Sequence, residues 1–400
     1  MEKKNKVKRI LVFLLDRVVE RDYDRFGFPL LKEQGFHVEF WSFANQFIPD
    51  HAGDSQTSNK QSFYRNFQSK NEAREAIHSL NEETVVVLGM PCTLFTFWIY
   101  RALTRSRASY GIANPNAMPF IAQNRKSLLR LFLHPFSTAR KIILKLISMI
   151  PFERLFIRPI DFALVGGNQA LMHYQKVLGL ETSVIKAHSL DYDLFLYDKG
   201  NRKEALYKTK YAVFMDQYLP YHPDNFILGR KNPFNPYEYY GELNKFFSQV
   251  ERETGVRVVI AAHPRADYSD KPFCYPNRDI VYGHLGALVR DCEFILGHHS
   301  TGVSFANIYK KSVVFIYNEA MVKENFSHRA TLDMAYRFGK KAYEMNKETI
   351  DWKNEIFIDA DKYAFYREQF IKMKGSEEKN TWLIFSEFLR GKNTNANESI

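Results

Sequence analysis

The sequence has few cysteines and no long hydrophobic run. Its 400 residues include Cys92, Cys274 and Cys292 as the only cysteines. Their spacing fits neither a zinc knuckle nor a disulfide framework, so we expect idle or buried thiols in a reducing compartment. No stretch of about 18 uncharged apolar residues occurs, so we expect no membrane-spanning helix. The N-terminal apolar run ends at Asp16; it is too short for a signal peptide and predicts a buried strand.

Two familiar site motifs are also missing. Gly166 and Gly167 follow a predicted strand but lack the rest of the GxGxxG fingerprint, so a dinucleotide site is not supported. No cysteine or acid is spaced to complete a zinc site with His298 and His299. We find no internal repeat and no low-complexity tract. A dinucleotide-dependent enzyme and a zinc protein are therefore disfavoured.

Length and charge favour a multidomain globular protein with an anionic partner. At about 150 residues per domain, the chain has room for two or three domains. A hydrophobic content of 45% is enough for a core in each. Lysine and arginine outnumber aspartate and glutamate by 56 to 45, which gives a formal net charge of +11. Nucleic acid, acidic lipid and a phosphorylated substrate all fit that charge.

Strand-like and helix-like segments alternate twice along the chain. RILVFLL, HVEFWSF, TVVVLG, DFALVGG and SVIKAHS in the first half, and YAVFMD, VRVVIAAHP, EFIL and SVVFIY in the second, predict parallel sheets with crossover helices. After Asn318 the pattern is helical. We predict a Rossmann-like domain over 1–208, a second over 209–345, C-terminal helices over 346–390 and a disordered tail over 391–400.

A basic segment interrupts the first half at about 123–158. It mixes bulky apolar residues with eight cations: Arg125, Lys126, Arg130, Arg140, Lys141, Lys145, Arg154 and Arg158. Such a mixture can lie in a membrane interface, with lysines facing anionic headgroups. It equally fits an amphipathic helix packed on the domain with a solvated basic face. Nucleic-acid binding is disfavoured because no recognised nucleic-acid module accompanies the charge.

Two polar loops follow predicted strands in the second half. His263, Pro264 and Arg265 come after VRVVIAA, where an imidazole with a pKa near neutrality can bind a phosphate oxygen or protonate a leaving phosphate. Ser300 and Thr301 come after EFILGHH and open the next predicted helix, whose start attracts anions. Each loop alone also fits an ordinary turn or cap. We expect the two loops on neighbouring strands of one sheet, where ligands of open α/β sheets bind.

These motifs resemble the nucleotide-binding domain of bacterial sialyltransferases and related CMP-sugar glycosyltransferases. The resemblance covers roughly residues 211–317. It implies the GT-B fold, an α/β architecture with two Rossmann-like domains facing a central cleft. It also implies that His263 contacts the CMP phosphate and assists its departure, and that Ser300 and Thr301 hold the same phosphate. Arg265 and His299 stand beside these residues, and we expect both to contact the phosphate, His299 by adding positive charge.

The chain departs from this family in one respect. The acidic Asp/Glu-Asp/Glu-Gly triplet that supplies the acceptor-activating base is missing. Carboxylates near predicted strand ends could replace it: Asp16, Asp191, Asp193 and Asp216. Asp16 best fits a base from the first domain, and Asp216 could instead contact the donor or the hinge.

The resemblance implies a metal-independent transferase without a cofactor. Its donor would be a CMP-activated acidic keto sugar of the sialic acid or Kdo kind, and its acceptor a bacterial surface glycan or a lipid-linked glycan. The basic segment predicts a cytoplasmic protein at the inner face of the membrane. Two alternatives remain open: a CDP-glycerol-type polyol-phosphate transferase and a non-catalytic scaffold at the membrane surface.

Overall fold

Runs of branched and aromatic residues form the strands, because such side chains pack well on a buried pleated surface. A computed structural model describes residues 7–18, 20–46, 63–93, 95–114, 119, 156–172, 174–175, 177–202, 204–222 and 232–391. The strands in these parts are β1 (Arg9–Leu14), β2 (His37–Ser42), β3 (Tyr64–Asn66), β4 (Thr84–Leu88), β5 (Ser109–Asn114), β6 (Phe162–Val165), β7 (Ser183–Lys186), β8 (Tyr211–Met215), β9 (Arg257–Ala261), β10 (Ile280–Val281), β11 (Ile295–Gly297), β12 (Val313–Tyr317) and β13 (Ala342–Glu344).

Helices connect most of these strands. They are α1 (Glu20–Arg25), α2 (Phe28–Glu33), α3 (Lys70–His78), α4 (Phe97–Thr104), α5 (Asn168–Met172), α6 (Leu190–Gly200), α7 (Pro236–Thr254), α8 (Leu285–Asp291), α9 (Val303–Ile308), α10 (Glu319–Glu324), α11 (Phe326–Arg337), α12 (Trp352–Glu355), α13 (Ala360–Tyr366) and α14 (Thr381–Leu389). The longest, α7, is capped by Asn235 and ends at Gly255, whose φ of 70° suits glycine.

The strands form two parallel sheets. The first has the order β3-β2-β1-β4-β5-β6-β7 and the second β10-β9-β8-β11-β12-β13. In each sheet the first strands in the chain lie centrally, and later strands are added on both sides, as in doubly wound folds. The predicted α/β class with two Rossmann-like units is therefore confirmed.

The two units divide the chain differently from the prediction. Unit 1 contains the described residues up to 193 except Pro119, together with those from 372 onward, and unit 2 contains Pro119 and residues 194–371. The boundary thus lies inside α6 rather than at 208. The predicted block of C-terminal helices is also split, because α12 and α13 belong to unit 2 whereas α14 returns to unit 1.

The return of α14 is fixed by a tryptophan. The indole Nε1 of Trp382 donates to the carbonyl oxygen of Arg25 at 3.0 Å. Gly27 has a φ of 60°, and a Cβ there would lie 2.1 Å from the Trp382 ring. Only glycine therefore fits at position 27. Trp382 and Phe385 are fully buried in the core of unit 1 with strand residues such as Phe162.

The predicted helical region after Asn318 contains a strand that the sequence analysis missed. Ala342–Glu344 form β13, and Phe315 of β12 lies opposite Ala342. Gly339, with a φ of 70°, ends the preceding helical path. Three residues are too few to show an alternating pattern, so the helical patterns on either side led to a prediction of helix across them.

The basic segment lies largely outside the described residues, as does the predicted tail beyond Gly391. Of its eight cations, Arg158 is described. Its guanidinium donates to the Asp161 carboxylate at 2.9 Å and lies 4.7 Å from the Tyr110 ring centroid. Arg158 therefore packs against unit 1.

Candidate active site

The two predicted phosphate loops begin at the same edge of the second sheet, at the carboxyl ends of its strands. Met215, the last residue of β8, lies opposite Ala261 of β9 on one side and opposite Gly297 of β11 on the other. The expectation that β9 and β11 are neighbours is wrong, because β8 lies between them. At strand spacings of just under 5 Å, their ends are about 10 Å apart.

His263 is held by a tight turn. The amide of Ala266 donates to the His263 carbonyl oxygen at 2.8 Å, and the amide of Arg265 donates to His263 Nδ1 at 3.2 Å. Because Nδ1 accepts a hydrogen bond, the neutral ring carries its proton on Nε2. The ring is half-buried, and Arg265 is exposed. His263 is thus oriented as a donor through Nε2.

A second imidazole, His222, lies beside His263. Their ring centroids are 5.0 Å apart. His222 follows the short 3-10 turn Leu219–Tyr221 after β8. The sequence analysis missed it, although His222-Pro223 repeats the dipeptide of His263-Pro264. The segment after β8 therefore contributes an imidazole between the two predicted loops.

His299 completes a histidine cluster, by which we mean His222, His263 and His299. Its amide donates to Gln217 Oε1 at 3.2 Å, and its Nδ1 is buried without a hydrogen-bond partner. Burial lowers the pKa of His299 to about 3, with smaller contributions from His298 and His222. His299 is therefore neutral at pH 7, contrary to the expected positive charge, and can contact a ligand as a neutral ring.

His298 belongs to the core. It is fully buried; its Nδ1 lies 2.5 Å from the carbonyl oxygen of Ile316 and its Nε2 lies 3.0 Å from the Tyr239 hydroxyl. The carbonyl requires a donor, so Nδ1 carries the proton and Nε2 accepts from the tyrosine. Burial lowers the pKa of His298 to about 4. It is a neutral structural residue.

Ser300 and Thr301 lie just before α9, which begins at Val303 rather than at Ser300 as predicted. Ser300 Oγ accepts from the amide of Gly302 at 3.1 Å, and the amide of Ser304 donates to the Thr301 carbonyl oxygen at 3.1 Å. Ser300 is half-buried and Thr301 is exposed. Their side chains belong to the loop that also carries His299.

Asp216 lies beneath this surface rather than on it. It is 4% exposed. Its Oδ1 accepts from the amide of Tyr218 at 2.9 Å, and its Oδ2 accepts from the Tyr268 hydroxyl. Burial raises the pKa of Asp216. Both oxygens serve the fold, and Tyr268 is buried against this carboxylate.

The other three carboxylates lie in unit 1. Asp16 is exposed just after β1. Asp191 and Asp193 lie in the first turn of α6. Asp193 Oδ1 accepts from the amide of Thr381 at 2.8 Å, and burial raises the Asp193 pKa to about 7. Asp193 therefore anchors the start of α14, whereas Asp16 is open to solvent.

In the described ranges, no group of three or more histidine, cysteine, aspartate or glutamate side chains is arranged to hold a metal ion. No helix among the same residues is long and apolar enough to cross a bilayer.

Comparisons with known proteins reach only the level of a distant likeness. No protein-family model matches the chain, and no curated protein sequence is significantly similar to it. Among solved structures, a UDP-N-acetylglucosamine 2-epimerase is similar at 13% identity and a TM-score of 0.46, over 98% of this chain and 99% of that chain. The wall teichoic acid polymerase TagF is similar at 8% identity and a TM-score of 0.45, over 98% and 90%.

A UGT transferase from Siraitia grosvenorii is similar at 10% identity and a TM-score of 0.45, over 96% of this chain and 100% of that chain. At TM-scores below 0.5 these likenesses assign neither a reaction nor a substrate to the chain. The candidate site has to be interpreted from its own residues.

Proposed function

We propose that this protein is a glycosyltransferase. It transfers an acidic keto sugar of the sialic acid or Kdo kind from a CMP-activated donor to a hydroxyl group of a bacterial surface glycan or lipid-linked acceptor. Unit 2 binds the nucleotide phosphate through the loops that follow β9 and β11.

The observation that carries this proposal is the histidine cluster at the carboxyl ends of parallel strands, where ligands of open α/β sheets bind. His222 and His263 lie 5.0 Å apart, and His299 has a buried Nδ1 without a partner. A buried nitrogen without a partner is costly, and a ligand or water that contacts it removes that cost. The site offers neutral imidazoles, two hydroxyls and one arginine as hydrogen-bonding groups. A single phosphate can bond to these groups, whereas an apolar ligand cannot.

The chemistry follows from the protonation states. His263 donates a hydrogen bond from Nε2 to a phosphate oxygen, and this bond stabilises the negative charge that CMP gains as its bond to the sugar breaks. The ring keeps its proton. Arg265, Ser300 and Thr301 donate hydrogen bonds to the remaining phosphate oxygens. A monophosphate leaving group carries less charge than a diphosphate, so these donors can stabilise it without a divalent metal.

The acceptor and the location in the cell follow from the basic segment. Its cations attract anionic headgroups at about 1 kcal/mol each near a membrane surface. We place the enzyme at the inner face of the cytoplasmic membrane, where lipid-linked acceptors are available. Nucleic acid is not part of this proposal.

The test is incubation of the purified protein with CMP-activated and CDP-activated donors labelled in the transferred group. Release of CMP with the sugar on the acceptor supports the proposal. Transfer of a polyol phosphate would instead identify a polyol-phosphate transferase, and binding of CMP without any transfer would identify a scaffold.

His263→Ala provides the matching variant. It should lower transfer by about 10²–10³-fold, the usual cost of removing one hydrogen-bond donor to a developing negative charge, and should weaken CMP binding in calorimetry. His78→Ala is the control, because His78 is exposed on α3 of unit 1. Near-normal transfer by His263→Ala would exclude the proposed role of His263.

A further inference from the structure

The proposed transfer needs a base for the acceptor hydroxyl, and two of the four carboxylates expected to supply it, Asp216 and Asp193, are poorly placed. Both oxygens of Asp216 accept hydrogen bonds from within the fold, one from the Tyr218 amide and one from the Tyr268 hydroxyl. Asp193 is bonded to the start of α14. Neither carboxylate faces an open surface from which it could reach a substrate hydroxyl.

His222 has the position and the chemistry that these carboxylates lack. It is half-buried rather than enclosed, and its ring lies 5.0 Å from that of His263. It also lies close enough to His299 to lower the pKa of that residue. An imidazole is a competent proton acceptor near neutral pH.

We propose that His222 is the general base of the transfer. This inference rests on the proposed function. His222 accepts the proton of the acceptor hydroxyl while that oxygen forms a bond to the anomeric carbon. The bond from this carbon to the phosphate oxygen breaks, and its electron pair stays on CMP, whose phosphate accepts a hydrogen bond from Nε2 of His263. The proton taken up by His222 is released to solvent, so this ring returns to its starting state.

The assignment gives each of the two neighbouring rings one role. His263 has its Nδ1 occupied by the Arg265 amide and carries its proton on Nε2, which suits a hydrogen-bond donor to the leaving phosphate. One donor ring and one acceptor ring 5.0 Å apart can serve the two oxygen atoms that flank a single reacting carbon. Two protonated rings at that distance would repel each other, which favours opposite roles.

The experiment compares His222→Gln, His263→Ala and Asp16→Asn, with His78→Gln as the control on an exposed helix end. Transfer from the CMP-sugar is measured by product formation, and CMP affinity by calorimetry. We expect His222→Gln to lower kcat by about 10²–10⁴-fold with CMP affinity within threefold of the original protein. His263→Ala should lower both quantities, and Asp16→Asn should leave kcat within threefold.

A readout specific to a base is the pH profile. If His222 is the base, the decline of kcat/KM on the acidic side should be lost in His222→Gln, and added imidazole should restore part of the activity. If His222 had a purely structural role, His222→Gln would neither lose the acidic decline of kcat/KM nor regain activity with imidazole. His222→Gln is a conservative change at a half-buried site, and circular dichroism establishes whether it is folded.

Three results overturn the inference and differ from one another. If His222→Gln keeps normal kcat while Asp16→Asn loses it, Asp16 is the base and the proposed function stands. If His222→Gln loses CMP affinity as strongly as His263→Ala, His222 binds phosphate instead. If the original protein transfers no sugar from any CMP donor, the proposed function fails, and the assignment of His222 fails with it.

Discussion

The hydroxyl of Tyr268 donates a hydrogen bond to the buried carboxylate of Asp216. This bond ties the loop after β9, which carries His263, to the end of β8. The Tyr218 hydroxyl adds a second tie, since it donates to the Asp267 carbonyl oxygen at 2.9 Å. The orientation of His263, the candidate donor to the phosphate, therefore depends on a carboxylate that does not face the ligand.

Tyr268→Phe should loosen this loop and destabilise the protein. The change keeps the ring but leaves Asp216 with one donor fewer, which typically costs about 1–3 kcal/mol for a buried group. Urea unfolding should show this loss, and amides near His263 should exchange hydrogen faster. Tyr336→Phe serves as the control, because the Tyr336 side chain is 70% exposed. Equal stability and exchange in the two variants would contradict a tie through Asp216.

His298→Ala should be strongly destabilising without acting on the ligand directly. The variant leaves the Ile316 carbonyl and the Tyr239 hydroxyl without their partner and opens a cavity, which together cost about 2–4 kcal/mol. Denaturant unfolding measures the cost, and His284→Ala, at an exposed position, should change stability by less than about 0.5 kcal/mol. A variant as stable as the original protein would show that His298 is not a core residue.

The contribution of His298 to the free energy of unfolding should decrease as pH falls. The folded pKa of His298 is about 4, whereas an unfolded histidine has a pKa of about 6.5. Below pH 6.5 the unfolded state binds more protons than the folded state, so stability is lost as pH falls towards 4. The difference in unfolding free energy between the original protein and His298→Asn should narrow over that range, by at most about 1.4 kcal/mol per pH unit. A difference that is constant from pH 7 to pH 4 would contradict this.

Replacing Arg140, Lys141 and Lys145 by serine should move the protein from the membrane fraction to the supernatant. Three cations near an anionic surface contribute about 3 kcal/mol of binding. Transfer to a water-soluble acceptor should be unchanged. The matched control replaces three exposed lysines of the described region with serine, Lys245, Lys353 and Lys374, and should remain at the membrane. Identical fractionation of both variants would exclude the interface role of the segment.

The sequence predicted the positions of the strands in the chain better than their order in the sheets. Buried runs such as VRVVIAA and TVVVL identify β9 and β4 because hydrophobic continuity is a local property. Sheet order is not local, so the position of β8 between the two loops was not predictable. Short elements such as β13 carry too few residues for a period to be recognised.

The candidate site was predictable in part for the same reason. The sequence identifies the strands that precede His263, Ser300 and Thr301. It shows no pattern that predicts the 3-10 turn before His222. The dipeptide His-Pro occurs at His134, His222 and His263. The copy at His222 was the available signal. His222 differs from His134 in that it comes one turn after a buried strand. The burial of Asp216 and His298 could only be seen in three dimensions.

Trp382 has a consequence for how the chain folds during synthesis. The six strands of unit 2 lie between Tyr211 and Glu344, so they have all been synthesised before the tryptophan is added. Unit 1, begun first, stays without α14 until residues 381–389 are made, and the space beside Gly27 that Trp382 occupies remains unfilled until then. The second-made unit can thus mature first, and a nascent chain stalled shortly before residue 382 would expose the apolar surface that chaperones recognise.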